Sequence, residues 1–225
     1  MSKEIWRPGN MLYPLPSVLV TVADDEGNDN VLTVAWTGTV CSDPAMVSIS
    51  IRPERHSYDI IKETGEFVIN LTTKELTYAT DYCGVKSGKE TGEFVINLTT
   101  EELAYATDYC GVKSGKNEDK FKNASLTKEP AKYVKAPLIK ESPVNIECQV
   151  TDVVPCGSHD MFVAKVLCVH ADKKYMDENG TFSFEKAKPI VYSHGWYYGL
   201  GKKTGKFGYS VIKKKAAKKR YRKNK

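Results

Sequence analysis

At 225 residues with 41% hydrophobic side chains, the chain is long enough for one large domain or two small ones with a real core. No stretch approaches the roughly 20 apolar residues of a membrane span, and the charged first ten residues, with Pro8 and Gly9, do not read as a signal peptide; a cytoplasmic protein is expected. The net charge of +5 is local: residues 213–225 hold nine Lys and Arg and no acid, which leaves residues 1–212 at −4, mildly acidic.

In chain order, residues 17–23 (SVLVTVA) and 31–36 flank the polar stretch DDEGNDN at 24–30, a strong hairpin signal. Residues 45–52 alternate as a half-buried strand does. A helix is predicted over 56–63. Residues 62–88 then recur almost unchanged as residues 89–115, differing only at Lys74/Glu101 and Thr77/Ala104. Solenoid repeats diverge outside their packing positions, and two units do not make a solenoid, so this is read as a recent or engineered tandem duplication inside one domain. Each copy carries EFVINL, a short apolar run with strand propensity, then a helix start with capping-box spacing at Thr72/Glu75 and Thr99/Glu102. One domain needs only one such unit. The other is an insertion, tolerable because loop-closure entropy grows slowly with length; which copy fills the structural slot stays open. Residues 145–154 and 161–171 read as two long strands around Pro155, Cys156, Gly157 and Ser158, and DENG at 177–180 as a turn. Many antiparallel strands with few short helices predict a mainly β domain over 1–212, a closed or split barrel, followed by a basic tail over 213–225 expected to be disordered.

Common catalytic motifs fail. The glycines at 199, 201 and 205 have the wrong spacing for dinucleotide or P-loop fingerprints. The six cysteines show no CxxC pair and no Cys/His ligand spacing, and are read as structural thiols. Three stretches concentrate polar groups instead. Ala35, Trp36, Thr37 and Gly38 sit at a strand end, where small and hydroxyl residues let backbone N–H groups approach a ligand. Arg52, Arg55 and Ser57 precede or open the short helix, a phosphate-binding combination. The third is GVKSG, ending Lys86, Ser87, Gly88 in one copy and Lys113, Ser114, Gly115 in the other, with DKF at 119–121 after it. Each alone also reads as a solvated turn.

The runs LYPLPSVLV (12–20), LTVAWTGTVCSDPAMVSISIRPERHSY (32–58), DYCGVKSG (108–115) with DKF, NIECQV (145–150), GSHDMFVAKV (157–166) and YYGLG (197–201) together resemble the flavin reductase-like, FMN-binding split-barrel family, its flavoredoxin branch in particular. The resemblance runs in order from about residue 10 to about 212, with one repeat copy left over. It implies an antiparallel Greek-key split β-barrel, FMN as cofactor and a homodimer binding flavin at the subunit interface. By the same resemblance Ala35, Trp36, Thr37 and Gly38 line the isoalloxazine, and Arg52, Arg55 and Ser57 hold the phosphate. Lys113, Ser114 and Gly115, or Lys86, Ser87 and Gly88, close over the cofactor. His159 faces the nicotinamide side, its alternative being a strand-end histidine bonded to a neighbour; Tyr198 packs near the flavin or belongs to the core.

The activity implied is NAD(P)H-dependent flavin reduction, with NAD(P)H as co-substrate and free flavin or a redox protein as acceptor. A flavoredoxin-type electron carrier without efficient NAD(P)H oxidation is the alternative. Nucleic-acid association through the tail is a distant third. No metal and no membrane partner is expected.

Overall fold

The computed structural model describes residues 8–71, 73, 76, 94–97, 119–206 and 209; the predicted repeat helices and both GVKSG loops lie outside them. Strand β1 (Leu15–Pro16) precedes β2 (Val18–Ala23), in which every residue is buried. The predicted hairpin follows: Asp24 Oδ1 accepts from the backbone N–H groups of Glu26 (2.9 Å) and Asn28 (2.7 Å), and Gly27 adopts φ 87°. That geometry suits an Asx-type turn and a glycine. It leads into β3 (Asp29–Val34), paired along the whole of β2.

Two residues, Ala35 and Trp36, then separate β3 from β4 (Thr37–Ser42), which forms a hairpin with β5 (Ala45–Ile51). Helix α1 (His56–Thr64) ends on Gly65 in the left-handed region (φ 67°), whose N–H returns to the carbonyl of Ile61. β6 (Glu66–Leu71) and β7 (Phe94–Asn97) are the two copies of the repeated strand. Helix α2 (Lys120–Asn123) is capped by Asp119, which accepts from the Lys122 N–H. A small pair, β8 (Lys128–Glu129) and β9 (Leu138–Ile139), precedes the long antiparallel hairpin β10 (Val144–Pro155) and β11 (Asp160–Ala171). The turn Lys173–Tyr175, helix α3 (Phe184–Ala187), β12 (Ile190–Ser193) and β13 (Trp196–Gly199) complete the described chain.

The principal sheet has the order β3-β2-β7-β6-β10-β11-β5-β4, nearly all antiparallel, and β1-β12-β13 form a second small sheet. Its two margins, β3 and β4, are consecutive in sequence. A two-residue link spans at most about 11 Å, so the sheet must curl until its margins approach at Ala35–Trp36. No ladder joins β3 to β4 among the described residues. The barrel is split at that seam.

Inside the curl lies the main core, with Val18, Val20, Leu32, Ile49, Ile61, Phe67 and Phe162 all buried. β6 buries both faces: Phe67 and Ile69 turn inward, while Val68 joins a second cluster with Val134, Ala136 and Leu138. A strand covered on both sides needs a continuous apolar run, which EFVINL supplies.

Candidate functional site

The split opens into a cleft of about 530 Å³, within the range of small-molecule sites. Its walls come from the seam and the strands beside it: Leu32 to Trp36 from β3 and the link, Ser50 to Arg52 and Arg55 from β5 and the start of α1, and Cys156, Ser158 and His159 from the β10–β11 turn. Tyr192 and Tyr197, from the second sheet, close the remaining side. The seam is held locally: the Ser50 N–H donates to the Trp36 carbonyl at 2.8 Å, and the Thr37 N–H to that of Ala35 at 3.0 Å.

Two features give this cleft a chemical character. The rings of Trp36 and His159 stack, centroids 5.9 Å apart and 14° from parallel, so one wall presents flat aromatic surface. The other is positive charge. Burial, and then the neighbouring Arg52, pull the Arg55 guanidinium below its usual range, with Glu54 opposing. His159 is held below its ordinary value by burial and by Arg52 and Arg55, again against Glu54. Cations that depress one another mark a place where an anion gains. Arg55 is also the N-cap of α1, in extended conformation and with no cap hydrogen bond from its own side chain, so its guanidinium sits at the positive end of the helix.

Of the residues predicted from sequence, Ala35, Trp36, Arg52, Arg55 and His159 come together on the cleft. Thr37 and Gly38 do not line it: both lie in β4, and the Thr37 hydroxyl donates to the Ser48 carbonyl at 2.8 Å. Ser57 does not line the cleft: it is fully buried, its hydroxyl accepting from Asn30 Nδ2 at 2.9 Å, which ties α1 to β3. Tyr198 is 53% exposed and is not a core residue; its neighbour Tyr197 faces the cleft instead. Lys86, Ser87, Gly88, Lys113, Ser114 and Gly115 lie outside the described residues. The His159 ring lines the cleft, and its Nδ1 is hydrogen-bonded to the neighbouring Ser158 Oγ at 2.9 Å.

Sequence reasoning passed over Tyr192 and Tyr197, which belong to short strands without apolar alternation. It also passed over the buried Glu147. That carboxylate accepts from the N–H groups of Lys132 (2.9 Å), Tyr133 (2.6 Å) and Val134 (3.2 Å) and from His170 Nε2 (2.5 Å). With Cys168 these groups have metal-like proximity, but four donors already fill the carboxylate's acceptor sites. Glu147 anchors the 132–134 loop.

The fold and the cleft define a split-barrel protein with an anion-favouring, aromatic-walled site. The model of the flavin reductase like domain matches residues 11–91 and 88–201, and the chain belongs to that family. The two matched stretches overlap at residues 88–91, at the junction of the two repeat copies. An uncharacterized protein of Pyrococcus abyssi is 31% identical over 179 residues, covering 80% of this chain and 82% of its own. Flavoredoxin of Desulfovibrio vulgaris superposes with a TM-score of 0.76 at 25% identity, over 94% of this chain and all of that one. Nitrilotriacetate monooxygenase component B from Bacillus cereus (TM-score 0.70, 18% identity, 91% of this chain and all of that one) shares the fold.

Proposed function

We propose that the cleft binds FMN and that the protein passes electrons from NAD(P)H through it as a flavin reductase. The observation that carries this reading is the pairing, in one cleft, of Arg52 and Arg55, just ahead of α1, with the stacked Trp36 and His159. The residues present fit the group. A phosphate monoester suits guanidinium forks at a helix N-terminus, and a flat ring suits the aromatic wall. The likeness to flavoredoxin and to an FMN-binding protein from Thermus thermophilus (TM-score 0.65, 19% identity) supports the same cofactor.

Bound flavin would supply the hydride or electron transfer. The chain's own groups do the remaining work. Arg52 and Arg55 fix the phosphate end. Trp36 and Tyr197 wall the ring site. His159, kept largely neutral near pH 7 by burial and the two arginines, offers a polar contact without adding a cation beside the nicotinamide.

A second reading, an electron carrier that holds FMN and oxidises NAD(P)H slowly or not at all, is favoured by the flavoredoxin match across the whole length of that protein. One experiment separates them. The purified protein is titrated with FMN and its visible spectrum followed, then NADH or NADPH is added with and without free flavin. Rapid nicotinamide oxidation supports the reductase, and a bound flavin bleached slowly supports the carrier. No FMN uptake sinks both.

The functional unit in this proposal is a homodimer. Val40 of β4, Val153 and Val154 of β10 and Val169 of β11 are exposed apolar residues of the principal sheet, available to a subunit contact. The four described cysteines outside disulfides, Cys41, Cys148, Cys156 and Cys168, support a reducing cytoplasmic setting. Among the described residues no helix is long and apolar enough to cross a membrane.

A further inference from the structure

β2 has two edges. One is taken along its full length by β3, from Val18↔Val34 to Ala23↔Asp29. The other is claimed twice. β6 places Leu71 opposite Val18 and Val68 opposite Thr21. β7 places Asn97 opposite Leu19, Ile96 opposite Val20 and Phe94 opposite Val22. When residues 94–97 are shifted back by the 27-residue repeat, the two registers coincide. β6 and β7 meet in parallel at Phe67↔Phe94, the same residue of each copy. Register is dictated by which side chains fit which face, so two identical hexapeptides address one slot in one way.

Both copies stand between β2 and β10 in the sheet order, yet β6 alone pairs directly with each of them, so one strand spans the gap and a second at the same register is surplus. The far side of the slot is β10, paired with β6 from Asn145↔Asn70 to Gln149↔Glu66. Asn70 bridges the slot, donating from Nδ2 to the Leu19 carbonyl at 3.2 Å and accepting from Asn145 Nδ2 at 2.5 Å. Its repeat counterpart Asn97 is the residue that registers against the same Leu19. The sequence needed to enter the slot from α1 is duplicated as well. Lys62, Glu63, Thr64 and Gly65, the helix end and its left-handed cap, recur at 89–92.

We infer that the two repeat copies are alternative occupants of one slot between β2 and β10, and that the chain exchanges between a form with Glu66–Leu71 filling it and a form with Phe94–Asn97 filling it. The buried contacts are the same in both forms because the hexapeptides are the same. The main difference is whether the surplus 27 residues depart before or after the strand, and loop closure depends weakly on length. The two forms therefore coexist, with populations within about tenfold of each other. Exchange also substitutes Glu101 for Lys74 and Ala104 for Thr77 at equivalent sequence positions, reversing one charge just beyond the strand.

The test is paired-cysteine trapping in the full chain. Val18→Cys is combined with Leu71→Cys in one variant and with Leu98→Cys, the repeat counterpart, in another; both are oxidised, digested and read by mass spectrometry. The expected result is the 18–71 crosslink in the first and the 18–98 crosslink in the second, in yields within about tenfold. A crosslink confined to one variant, or absent from both, overturns the exchange. A second pair guards against folding artefacts. Phe67→Asp and Phe94→Asp are each expected to keep a cooperative thermal transition, while the double variant loses it. Loss of the transition in either single variant equally overturns the inference.

Discussion

His159 reports the electrostatics of the cleft most directly. Its folded-state value lies below the ordinary 6.5 because of burial and the flanking Arg52 and Arg55. In an NMR titration its midpoint is therefore expected below 6.5, and Arg52→Gln or Arg55→Gln should move it upward. The stability consequence has a definite sign. Between the folded value and 6.5 the unfolded chain binds a proton that the folded chain does not. Stability thus falls as pH drops through 6.5 and levels off below the folded value. Adding FMN should raise the midpoint, since a phosphate offsets the two cations. The same arginines set affinity: each Arg→Gln change is expected to weaken FMN binding about 10- to 100-fold, the worth of a charge-assisted hydrogen bond of about 1.5–3 kcal/mol, read by fluorescence titration. Arg52, Arg55, Trp36 and His159 were legible in the sequence because they stand in runs that resemble the family. Ser57 was legible as chemistry but not as geometry. Its place at the start of a helix suits a phosphate, yet only the fold shows that Asn30 has claimed its hydroxyl.

At the scale of single elements, two side-chain anchors stand out, one beside the cleft and one at the 132–134 loop. The Tyr58 hydroxyl on α1 donates to the Asp160 carboxylate at the start of β11, one residue from His159. Burial, with that bond, pushes the phenol up to about 12. Tyr58→Phe is expected to cost about 1–3 kcal/mol in denaturant unfolding and to broaden the His159 resonances by loosening its strand. Glu147 is the second anchor. Burial favours its neutral form, but the hydrogen bonds from His170 and from the N–H groups of Lys132 and Tyr133 outweigh that and keep the carboxyl below its usual value. Its contribution is present above the unfolded carboxyl value and is lost as pH falls through the folded one. Glu147→Gln should remove about 3 kcal/mol and flatten the acid limb of the stability–pH curve. The strands that alternate or bury both faces, β2, β3, β5, β6, β10 and β11, announce themselves by composition. β4 does not: TGTVCS is small, polar and largely exposed, and its strand character comes from the ladder to β5. Glu147 was equally silent, for nothing local in NIECQV says that a distant loop will turn three amides toward it.

For the whole molecule, the duplication is the feature that separates sequence from structure most sharply. The repeat is plain in the letters, whereas the fact that both copies register on one edge of β2 is a property of the sheet. Deleting residues 89–115 should leave a chain that folds with one strand in one slot. Its thermal midpoint is expected at or above that of the full chain, because a competing occupant and its loop are gone; differential scanning calorimetry checks this. A homodimer mass in light scattering, unchanged by that deletion, would place the subunit contact away from the slot.

The two-residue bridge at Ala35–Trp36 carries a further consequence. Those residues are at once the hinge pin of the barrel's seam and part of its binding wall. One extra residue there would spread the seam, detach the Ser50–Trp36 bond and enlarge the chamber in a single step. Across the sheet the chain carries a second copy of a 27-residue unit. Length is held tightly at the seam by a two-residue link, so a change of cleft chemistry is expected through side-chain replacement around Ala35–Trp36 and not through lengthening it.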